Sequence, residues 1–288
     1  MKTVDFFQDK HLMHGFAVHG PHHEDGFWAQ YPGMEEGQQR WELAQWGTYK
    51  HPLTKDTPRT ELPGGGFQYE NESVTVKVHP ADAEYDIRLE LRTTSEYEGY
   101  IRKDGEDWPH LLLEQRLIGP YTPCLGELDR LGLHNELRID YCVNHMDMTQ
   151  FVADRHVAQV HHYFTVEDVA TGDYLWFGVP FFDMRYQSFP GYRHIDCGKA
   201  DATGKLIYTI PQAEVTSADA REFEWITYDG DLLPYIRQAL DYAQSQGYLT
   251  QFKFENMKIT SNNIGFEMFA EYNAAYELRN ISLTGYLK

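Results

Sequence analysis

The feature that most limits the fold of this chain is a succession of short segments in which polar and apolar residues alternate. Segments such as "SVTVKVHP", "EYDIRLELRTT" and "VAQVHHYFTVED" are rich in β-branched and aromatic residues, which favour strands. Turn-forming sequences such as "DGED", "ATGD", "FPGY", "ATGK" and "SNN" separate them. The predicted strands cover residues 73–80, 84–94, 110–118, 136–144, 157–168, 174–185, 204–211 and 252–260, followed by "GFEMFAEY" and "YELRNISLTGYL". This many strands without helices of crossover length predict an all-β, antiparallel sandwich.

The segment "DGDLLPYIRQALDYAQSQGYL" has the spacing of an amphipathic helix. Its apolar residues form one stripe: Leu232, Leu233, Ile236, Leu240 and Ala243. Asp231 can cap the first turn, where Pro234 is tolerated, and Gly247 can end the helix. We therefore predict one short helix, over about residues 231–246, that lies on the sandwich.

No stretch of the sequence has the composition of a linker, so we predict a single domain over residues 1–288. Residues 1–72 contain Gly-, Pro- and charge-rich stretches such as "GPHHEDGFWAQYPGMEEGQQ" and "TPRTELPGGGF". We expect this loop-rich N-terminal part to pack on the main β-sandwich, residues 73–288.

The charge balance excludes one class of partner. The chain has 44 acidic and 25 basic residues, a formal net charge of −19, whereas nucleic-acid binding requires a concentrated basic surface. No uncharged apolar run is long enough to span a membrane, and the first residues lack the apolar core of a secretory signal. The 3 widely spaced cysteines fit neither a disulfide framework nor a Cys-based zinc site. We expect a soluble cytoplasmic protein, or an extracellular one if a signal peptide has been removed.

The stretch "YLWFGVPFFDMR", residues 174–185, is apolar until its last residues. In a strand, Asp183 and Arg185 share one face with the odd-numbered residues from Leu175 to Phe181. A run that is apolar on both faces indicates a strand covered on both sides, and the charged pair marks where one face opens onto a cleft or onto solvent. Because an Arg fork binds carboxylates and vicinal hydroxyls, the pair suits a sugar such as a uronate.

The stretch "WPHLLLEQRLI" predicts a polar row on one face of a strand. Alternation places His110, Leu112, Glu114 and Arg116 on the same side. A carboxylate in such a row can hold sugar hydroxyls or act as acid or base on a glycosidic bond. The alternative is an ordinary solvated face, which antiparallel sheets commonly have.

The stretch "DIRLELR" repeats this pattern with both signs of charge. Asp86, Arg88, Glu90 and Arg92 point one way, and opposite charges two residues apart can form a ladder across neighbouring strands. If this strand lies beside the strand of Glu114, then Glu90 and Glu114 become a carboxylate pair. Their separation would decide between a retaining, an inverting and a merely binding role.

The stretch "RHVAQVHHYFTVED" carries adjacent histidines that point to opposite faces of a strand, so at least one of them enters the more buried layer or a cleft. Histidine carries protons near neutral pH, and His162 with Tyr163 could supply the base and the acid of a lyase. The alternative is a hydrogen-bonded structural histidine.

Aromatic side chains can serve as platforms for sugar rings, because both present apolar faces with polar edges. Trp108, before Pro109 at a strand entrance, and Trp28, in a Gly-rich loop, are the preferred candidates. Trp176 lies inside a strand that is apolar on both faces, so we expect it in the core.

Histidines also crowd the N-terminal part of the chain. They are His11, His14, His19, His22 and His23, followed by Glu24 and Asp25. No predicted helix or hairpin brings them together as metal ligands require, so we predict no metal site.

The final stretch "IGFEMFAEYNAAYELRNISLTGYL", with Glu277, Leu278, Asn280, Ser282 and Leu283, resembles the last strands of concanavalin A-like jelly rolls. These folds occur in carbohydrate-binding modules, glycoside hydrolases and polysaccharide lyases. The resemblance covers residue 73 onward and implies a jelly-roll β-sandwich that handles carbohydrate. The Glu-x-Asp-x-x-Glu motif of laminarinase-like hydrolases and the Gln-Ile-His motif of alginate lyases are both absent, which leaves the activity open. Such modules often carry structural calcium, but no loop here has calcium-ligand spacing, and we predict no other cofactor.

These features support three hypotheses. The first is a lectin-like, non-catalytic protein whose partner is an oligo- or polysaccharide. The second is a glycan-degrading enzyme, either a polysaccharide lyase or a glycoside hydrolase, whose candidate catalytic residues are Glu114, His162, Asp183 and Arg185. In both cases the residues expected to contact the glycan are Glu90, His110, Arg116, Trp108, Trp28 and Tyr163. The third is an interaction scaffold without a glycan site.

Overall fold

The computed structural model describes residues 2–22, 26–80, 83–119, 121–197 and 202–288. The strands are β1 (Thr3–Asp5), β2 (Phe16–Val18), β3 (Phe27–Ala29), β4 (Trp41–Ala44), β5 (Arg59–Glu61), β6 (Phe67–Glu70), β7 (Val74–Val78), β8 (Ile87–Arg92), β9 (His110–Arg116), β10 (Leu128–Asn144), β11 (Ala158–Asp168), β12 (Asp173–Asp183), β13 (Tyr192–Ile195), β14 (Leu206–Thr209), β15 (Ile226–Asp231), β16 (Lys258–Met268) and β17 (Tyr272–Leu287). The α-helices are α1 (Thr94–Tyr97) and α2 (Leu233–Ser245). Short 3-10 helices lie at Pro63–Gly65, Leu125–Glu127, Gln212–Glu214, Ala220–Glu222 and Phe254–Asn256.

The strands form two sheets that pack face to face. The front sheet has nine strands in the order β13-β14-β12-β11-β16-β9-β4-β2-β3. The back sheet has eight, in the order β15-β10-β17-β8-β7-β6-β5, with β1 also paired to β17. All neighbouring pairs among the described strands are antiparallel except β12 with β14 and β2 with β4. The predicted all-β jelly-roll sandwich is confirmed.

Alternation along each strand explains why the core lies between the sheets. On β8, Ile87, Leu89 and Leu91 are fully buried, and on β9 Leu111 and Leu113 are equally inaccessible. Each of these residues is followed by one that points away from the other sheet. Burying both apolar faces against each other removes them from water, and this supplies most of the stabilisation of a sandwich.

The predicted helix is also confirmed as the longest one among the described residues. It spans Leu233–Ser245, and its buried residues are Ile236, Ala239, Leu240 and Ala243. An Asp231 carboxylate oxygen accepts hydrogen bonds from the backbone N–H groups of Leu131 and Leu233. The N-cap residue is Leu232, and the Asp231 oxygen just before it ties the first residue of α2 to β10. No helix among the described residues is long and apolar enough to cross a bilayer.

Two local predictions were wrong. The sequence "SNN", predicted as a turn, lies inside β16, and part of the predicted strand 252–260 is the 3-10 helix Phe254–Asn256. The polar side chain of Asn262 is tolerated inside the sheet because both of its ends are hydrogen-bonded. Its amide N–H donates to the Gln115 carbonyl, and its Oδ1 is bonded to His162 Nε2. Strands β1 to β6 of the N-terminal part pair into both sheets, so these residues contribute to the sandwich itself.

Candidate functional site

The outer face of the front sheet carries an open cleft of about 1170 Å³. Strands β9, β11, β12, β13, β14 and β16 contribute His110, Leu112, Glu114, Gln159, Tyr163, Trp176, Tyr192, His194, Ile207, Asn263 and Glu267. Loop residues at its edges include Trp46, Asp104, Trp108, Asp154, Arg185, Tyr186, Phe189, Asp196 and Phe269. A smaller depression of about 620 Å³, lined by Lys50, His51, Pro52, Thr54, Pro58, Glu70, Asn71 and Glu72, lacks tryptophan and tyrosine rings. The larger cleft is therefore the candidate site.

One register row crosses the whole front sheet on the cleft face. Directly paired residues point to the same side of a sheet, so strand pairing alone aligns them. The row runs through Trp28, Ala17, Glu42, Glu114, Asn263, Tyr163, Gly178, Thr209 and Tyr192. It places the predicted Glu114 and Tyr163 two strands apart on one polar line.

Glu114 is a carboxyl group of the cleft with a strongly raised pKa. Its side chain keeps some contact with solvent, but protein atoms surround the carboxyl closely. Burial raises the pKa of Glu114 to about 7, and the Glu42 charge adds to the rise, whereas a hydrogen bond from the Trp46 indole opposes it. The Trp46 Nε1 to Glu114 Oε1 distance is 3.4 Å. A carboxyl group with such a pKa is available as an acid near neutral pH.

Glu42 is the functional candidate that the sequence reasoning missed. It lies directly opposite Glu114 across β4 and β9, a position in which Cβ atoms are typically about 4.5–5.5 Å apart. Its Oε2 lies 3.3 Å from His19 Nε2. Alternation in "RWELAQWGTY" puts Glu42 on the face opposite Trp41 and Leu43, but nothing local shows that β4 pairs with β9.

Glu90 does not join this site. It lies on the outer face of the back sheet, where Oε1 and Oε2 each accept a hydrogen bond of 2.6 Å, from Arg92 and Arg88 respectively. Burial works to raise the pKa of Glu90, but hydrogen bonds from Tyr141 and these two arginines outweigh it and lower the pKa. The predicted charge ladder is therefore present for Arg88, Glu90 and Arg92, whereas Asp86 contacts His11 and the Asn280 backbone N–H instead. The predicted Glu90–Glu114 pair is absent, because the two strands belong to different sheets.

His162 lies in the core and not in the cleft. Its ring is completely buried against Phe7, Phe164 and Phe181. Burial lowers the pKa of His162 to about 3 despite the hydrogen bond to Asn262, so the ring is neutral at physiological pH. The structure thus supports the alternative reading of a hydrogen-bonded structural histidine.

His161 points to the cleft face instead and contacts Tyr163. The distance from His161 Nδ1 to the Tyr163 hydroxyl is 2.9 Å, and this hydroxyl lies 3.0 Å from that of Tyr192. The Tyr163 ring lies against β12 at Gly178, where an added Cβ would come within 2.5 Å of the ring. Glycine at this position therefore makes room for the tyrosine.

Asp183 and Arg185 form a closed pair at one end of the cleft. The Asp183 side chain is fully buried and accepts hydrogen bonds from Arg185 Nε (2.9 Å) and Nη2 (2.6 Å), while Nη1 donates to the Ala153 carbonyl. A bulge in the pairing of β11 with β12 places Asp183 opposite Gln159, on the cleft side. The predicted face shared with the core residues from Leu175 to Phe181 is therefore wrong. Arg185 lines the cleft, but its guanidinium is already engaged.

Of the other residues predicted to contact the glycan, two line the cleft and two lie outside it. His110 and Trp108 line the cleft with ring centroids 5.5 Å apart, and Trp108 stacks on Phe269 at 4.4 Å. Arg116 is exposed at the end of β9 and is not among the lining residues. Trp28 is exposed at the edge of the front sheet, on the register row but outside the cleft.

The prediction that Trp176 lies in the core is wrong. Trp176 pairs with Thr165 on the cleft face and lines the cleft. Its indole Nε1 lies 3.3 Å from Thr203 Oγ1. The core side of β12 is filled by Phe177 and Val179 instead.

The electrostatic character of the cleft is acidic. Its lining carboxyl groups are Asp104, Glu114, Asp154, Asp196 and Glu267. Asp104 is paired with Arg155, and Arg185 is paired with Asp183. Arg185 is the one lysine or arginine among the described lining residues, so carboxyl groups outnumber cations there.

No group of three or more potential metal ligands occurs among the residues that the structure describes. The N-terminal histidines are separated: His11 contacts Asp86 and His14 contacts Asp9. His23, Glu24 and Asp25 lie outside the described residues.

No protein-family model matches the chain, and no curated protein is significantly similar to it. Among solved structures, it is similar to a family 12 xyloglucanase from Bacillus licheniformis, with 7% identity over 85% of this chain and 100% of that one and a TM-score of 0.45. It is also similar to a family 11 xylanase from Neocallimastix patriciarum, with 6% identity over 80% and 95% of the chains and a TM-score of 0.41. A third is the xyloglucanase domain of an effector from Sinorhizobium fredii in complex with cellobiose, with 8% identity over 80% and 96% and a TM-score of 0.37. Similarity at this level carries no conclusion about activity, which is inferred from the cleft itself.

Proposed function

We propose that the protein binds an oligo- or polysaccharide in the cleft of the front sheet. The observation that carries this proposal is an open cleft with aromatic rings around a polar floor. Trp46, Trp108, Trp176 and Tyr192 line it together with Glu114. Sugar rings bury their apolar faces on such aromatic rings, while their hydroxyls bond to polar groups beside them.

The charge of the cleft favours a neutral chain over a uronate polymer. Among the described residues that line the cleft, carboxyl groups outnumber lysine and arginine five to one, and this excess of negative charge repels an anionic ligand. The guanidinium of Arg185, which a uronate carboxylate would need, is engaged by Asp183. A lyase acting on uronates is therefore the least supported of the glycan hypotheses.

The first prediction tests glycan binding. After a glycan array has identified a ligand, we expect Trp108→Ala to weaken its binding by roughly 5- to 50-fold, since losing a stacked ring removes about 1–2.5 kcal/mol. Isothermal titration measures the affinity, and thermal unfolding confirms that the variant is folded.

Trp225→Ala is the matched control, because this half-buried tryptophan contacts Arg138 and Arg279 of the back sheet. The affinity of the Trp225→Ala variant for the glycan should equal that of the wild type. Equal losses in both variants, or none in Trp108→Ala, would contradict this location of the site. An array without any binding glycan would contradict the proposed function and leave the scaffold hypothesis.

The pair Glu42 and Glu114 favours a second candidate function, hydrolysis of a glycosidic bond. In such a reaction an acid transfers its proton to the leaving oxygen as the bond to the sugar carbon breaks. A second carboxylate either attacks that carbon or removes a proton from the attacking water. The raised pKa of Glu114, about 7, suits the role of the acid. Glu42, directly opposite on β4, is the candidate for the second carboxylate.

If the protein hydrolyses its ligand, we expect the rate to fall about tenfold per pH unit above pH 7, as Glu114 loses its proton. Product analysis between pH 5 and 9 measures this. Glu114→Gln should lack this pH-dependent activity while still binding, and Glu61→Gln, an exposed position on β5, should retain it. Binding without products at any pH would remove hydrolysis and leave a binding protein.

A further inference from the structure

Three side chains on the cleft side of the front sheet form a continuous hydrogen-bond chain. His161 is the inner end and is 1% exposed, Tyr163 is the middle, and Tyr192 is the half-buried outer end. The two links measure 2.9 Å and 3.0 Å, and both tyrosines line the cleft. The chain thus leads from a buried imidazole to a hydroxyl at the cleft surface.

The position of the proton on His161 determines which group donates and which accepts in each hydrogen bond of this chain. Burial lowers the pKa of His161 to about 4, so the ring is neutral and carries a single N–H. Its Nε2 is buried and makes no hydrogen bond within the described part of the chain. A buried N–H without a partner costs more than an unused lone pair. The proton therefore belongs on Nδ1, which donates to the Tyr163 oxygen.

The charged groups near His161 do not reverse this assignment. The Asp183 carboxylate would attract a proton towards His161 Nε2. However, Arg185 donates three hydrogen bonds to this carboxylate and offsets its negative charge. Burial raises the pKa of both phenols, and the Thr209 hydroxyl opposes this rise only weakly as a donor, since it forms no hydrogen bond within the described part of the chain. A donor at this position also directs the phenol protons away from itself.

Each link then orients the next. Tyr163 accepts from His161 and donates to the Tyr192 oxygen, so the Tyr192 proton points into the cleft. We propose that this chain makes Tyr192 a directed hydrogen-bond donor that selects an acceptor-only oxygen of the bound sugar chain, such as a ring, glycosidic or carbonyl oxygen. This inference rests on the proposed glycan binding and adds a specificity-determining residue to it.

A directed donor complements the carboxyl groups of the cleft. In their ionised form they accept hydrogen bonds from sugar hydroxyls but cannot donate to an ether or carbonyl oxygen. An isolated tyrosine hydroxyl can rotate between donating and accepting. In the chain, the accepting role of Tyr192 is already taken by Tyr163, which leaves donation for the ligand.

The orientation can be tested without a ligand. In nitrogen-15-labelled protein at pH 7, long-range proton–nitrogen spectra should show His161 as the Nδ1–H tautomer. Comparison with His161→Gln assigns its signals among the 14 histidines. In Tyr163→Phe, which removes only the hydroxyl, the Nδ1 shift should move. Observation of the Nε2–H tautomer in the wild type would overturn the proposal whether or not a glycan binds.

A double-mutant cycle tests the consequence for binding, with cellohexaose and N-acetylchitohexaose as probes. We expect Tyr192→Phe to weaken binding of the better probe roughly tenfold, and His161→Phe to weaken it by a factor of about three to ten. The double variant should be no weaker than Tyr192→Phe alone, because both changes remove the same donated bond.

Tyr286→Phe, on the back sheet, is the matched control and should bind as the wild type does. Losses that multiply in the double variant, or full affinity in Tyr192→Phe, would overturn the proposal. If neither probe nor any array glycan binds the wild type, the proposed function fails, and the tautomer experiment still decides the direction of the chain.

Discussion

Glu114→Gln should stabilise the protein above pH 8 and leave its stability almost unchanged near pH 4. The pKa of Glu114 rises from 4.5 to about 7 on folding, chiefly through burial. Between these two values the native state binds more protons than the unfolded state, so stability falls as the pH rises. Above pH 7 the whole cost of holding the charged form in the cleft is present.

The size of this effect follows from the shift. Each pKa unit corresponds to 1.36 kcal/mol, so the cost above pH 8 is on the order of 3 kcal/mol at most, and solvent contact at the cleft floor reduces it. Glutamine keeps an oxygen that can accept the Trp46 N–H but carries no charge. The free energy of unfolding should therefore rise by about 2–3 kcal/mol at pH 8.5.

Urea unfolding of both proteins at pH 8.5 and near pH 4 measures the difference. Glu61→Gln, at an exposed position, is the control and should change little at either pH. A stabilisation that is equal at both pH values would show that the effect does not come from protonation. Loss of stability at pH 8.5 would show that the Glu114 charge is better solvated than its surroundings indicate. In either case the acid role of Glu114 would lose its physical basis.

Asp183→Asn should destabilise the protein by about 2–4 kcal/mol. The Asp183 side chain is fully buried, and its two oxygens accept three hydrogen bonds from the Arg185 backbone and guanidinium. Removing one partner of a buried pair leaves the other charge without compensation. The loss is at the lower end of the usual range for such pairs, because Arg185 borders the cleft and can turn towards water.

The chain contains a matched control for this change. Asp219 and Arg221 have the same two-residue spacing, and Asp219 accepts the same backbone and guanidinium hydrogen bonds. Both members of this pair are more exposed, with 19% of the Asp219 side chain and 34% of the Arg221 side chain accessible. Asp219→Asn should therefore cost less than about 1 kcal/mol. Equal costs in the two variants, measured by urea unfolding, would show that burial of Asp183 does not matter.

The sequence alone determined the features that depend on neighbours along the chain. Alternation with period two predicts β8 and β9, and the apolar stripe with helical spacing predicts α2, because local backbone geometry decides which side chains share a face. The same alternation predicts a ladder of Asp86, Arg88, Glu90 and Arg92 at two-residue spacing, and the last three of these residues are linked in the structure. It also places His110 and Glu114 on one side of a strand.

Only the tertiary structure decided which strands are neighbours and which face of a strand meets the cleft. Glu114 pairs with Glu42 rather than with Glu90, because strand order in a sheet depends on how the whole set of apolar faces is buried. His161 rather than His162 lies on the cleft side of β11, since both faces of this strand are covered and alternation cannot distinguish them. The bulge opposite Val160 turns Asp183 away from the core face that period two predicts. Each of these outcomes comes from contacts between residues far apart in the chain, which local patterns do not encode.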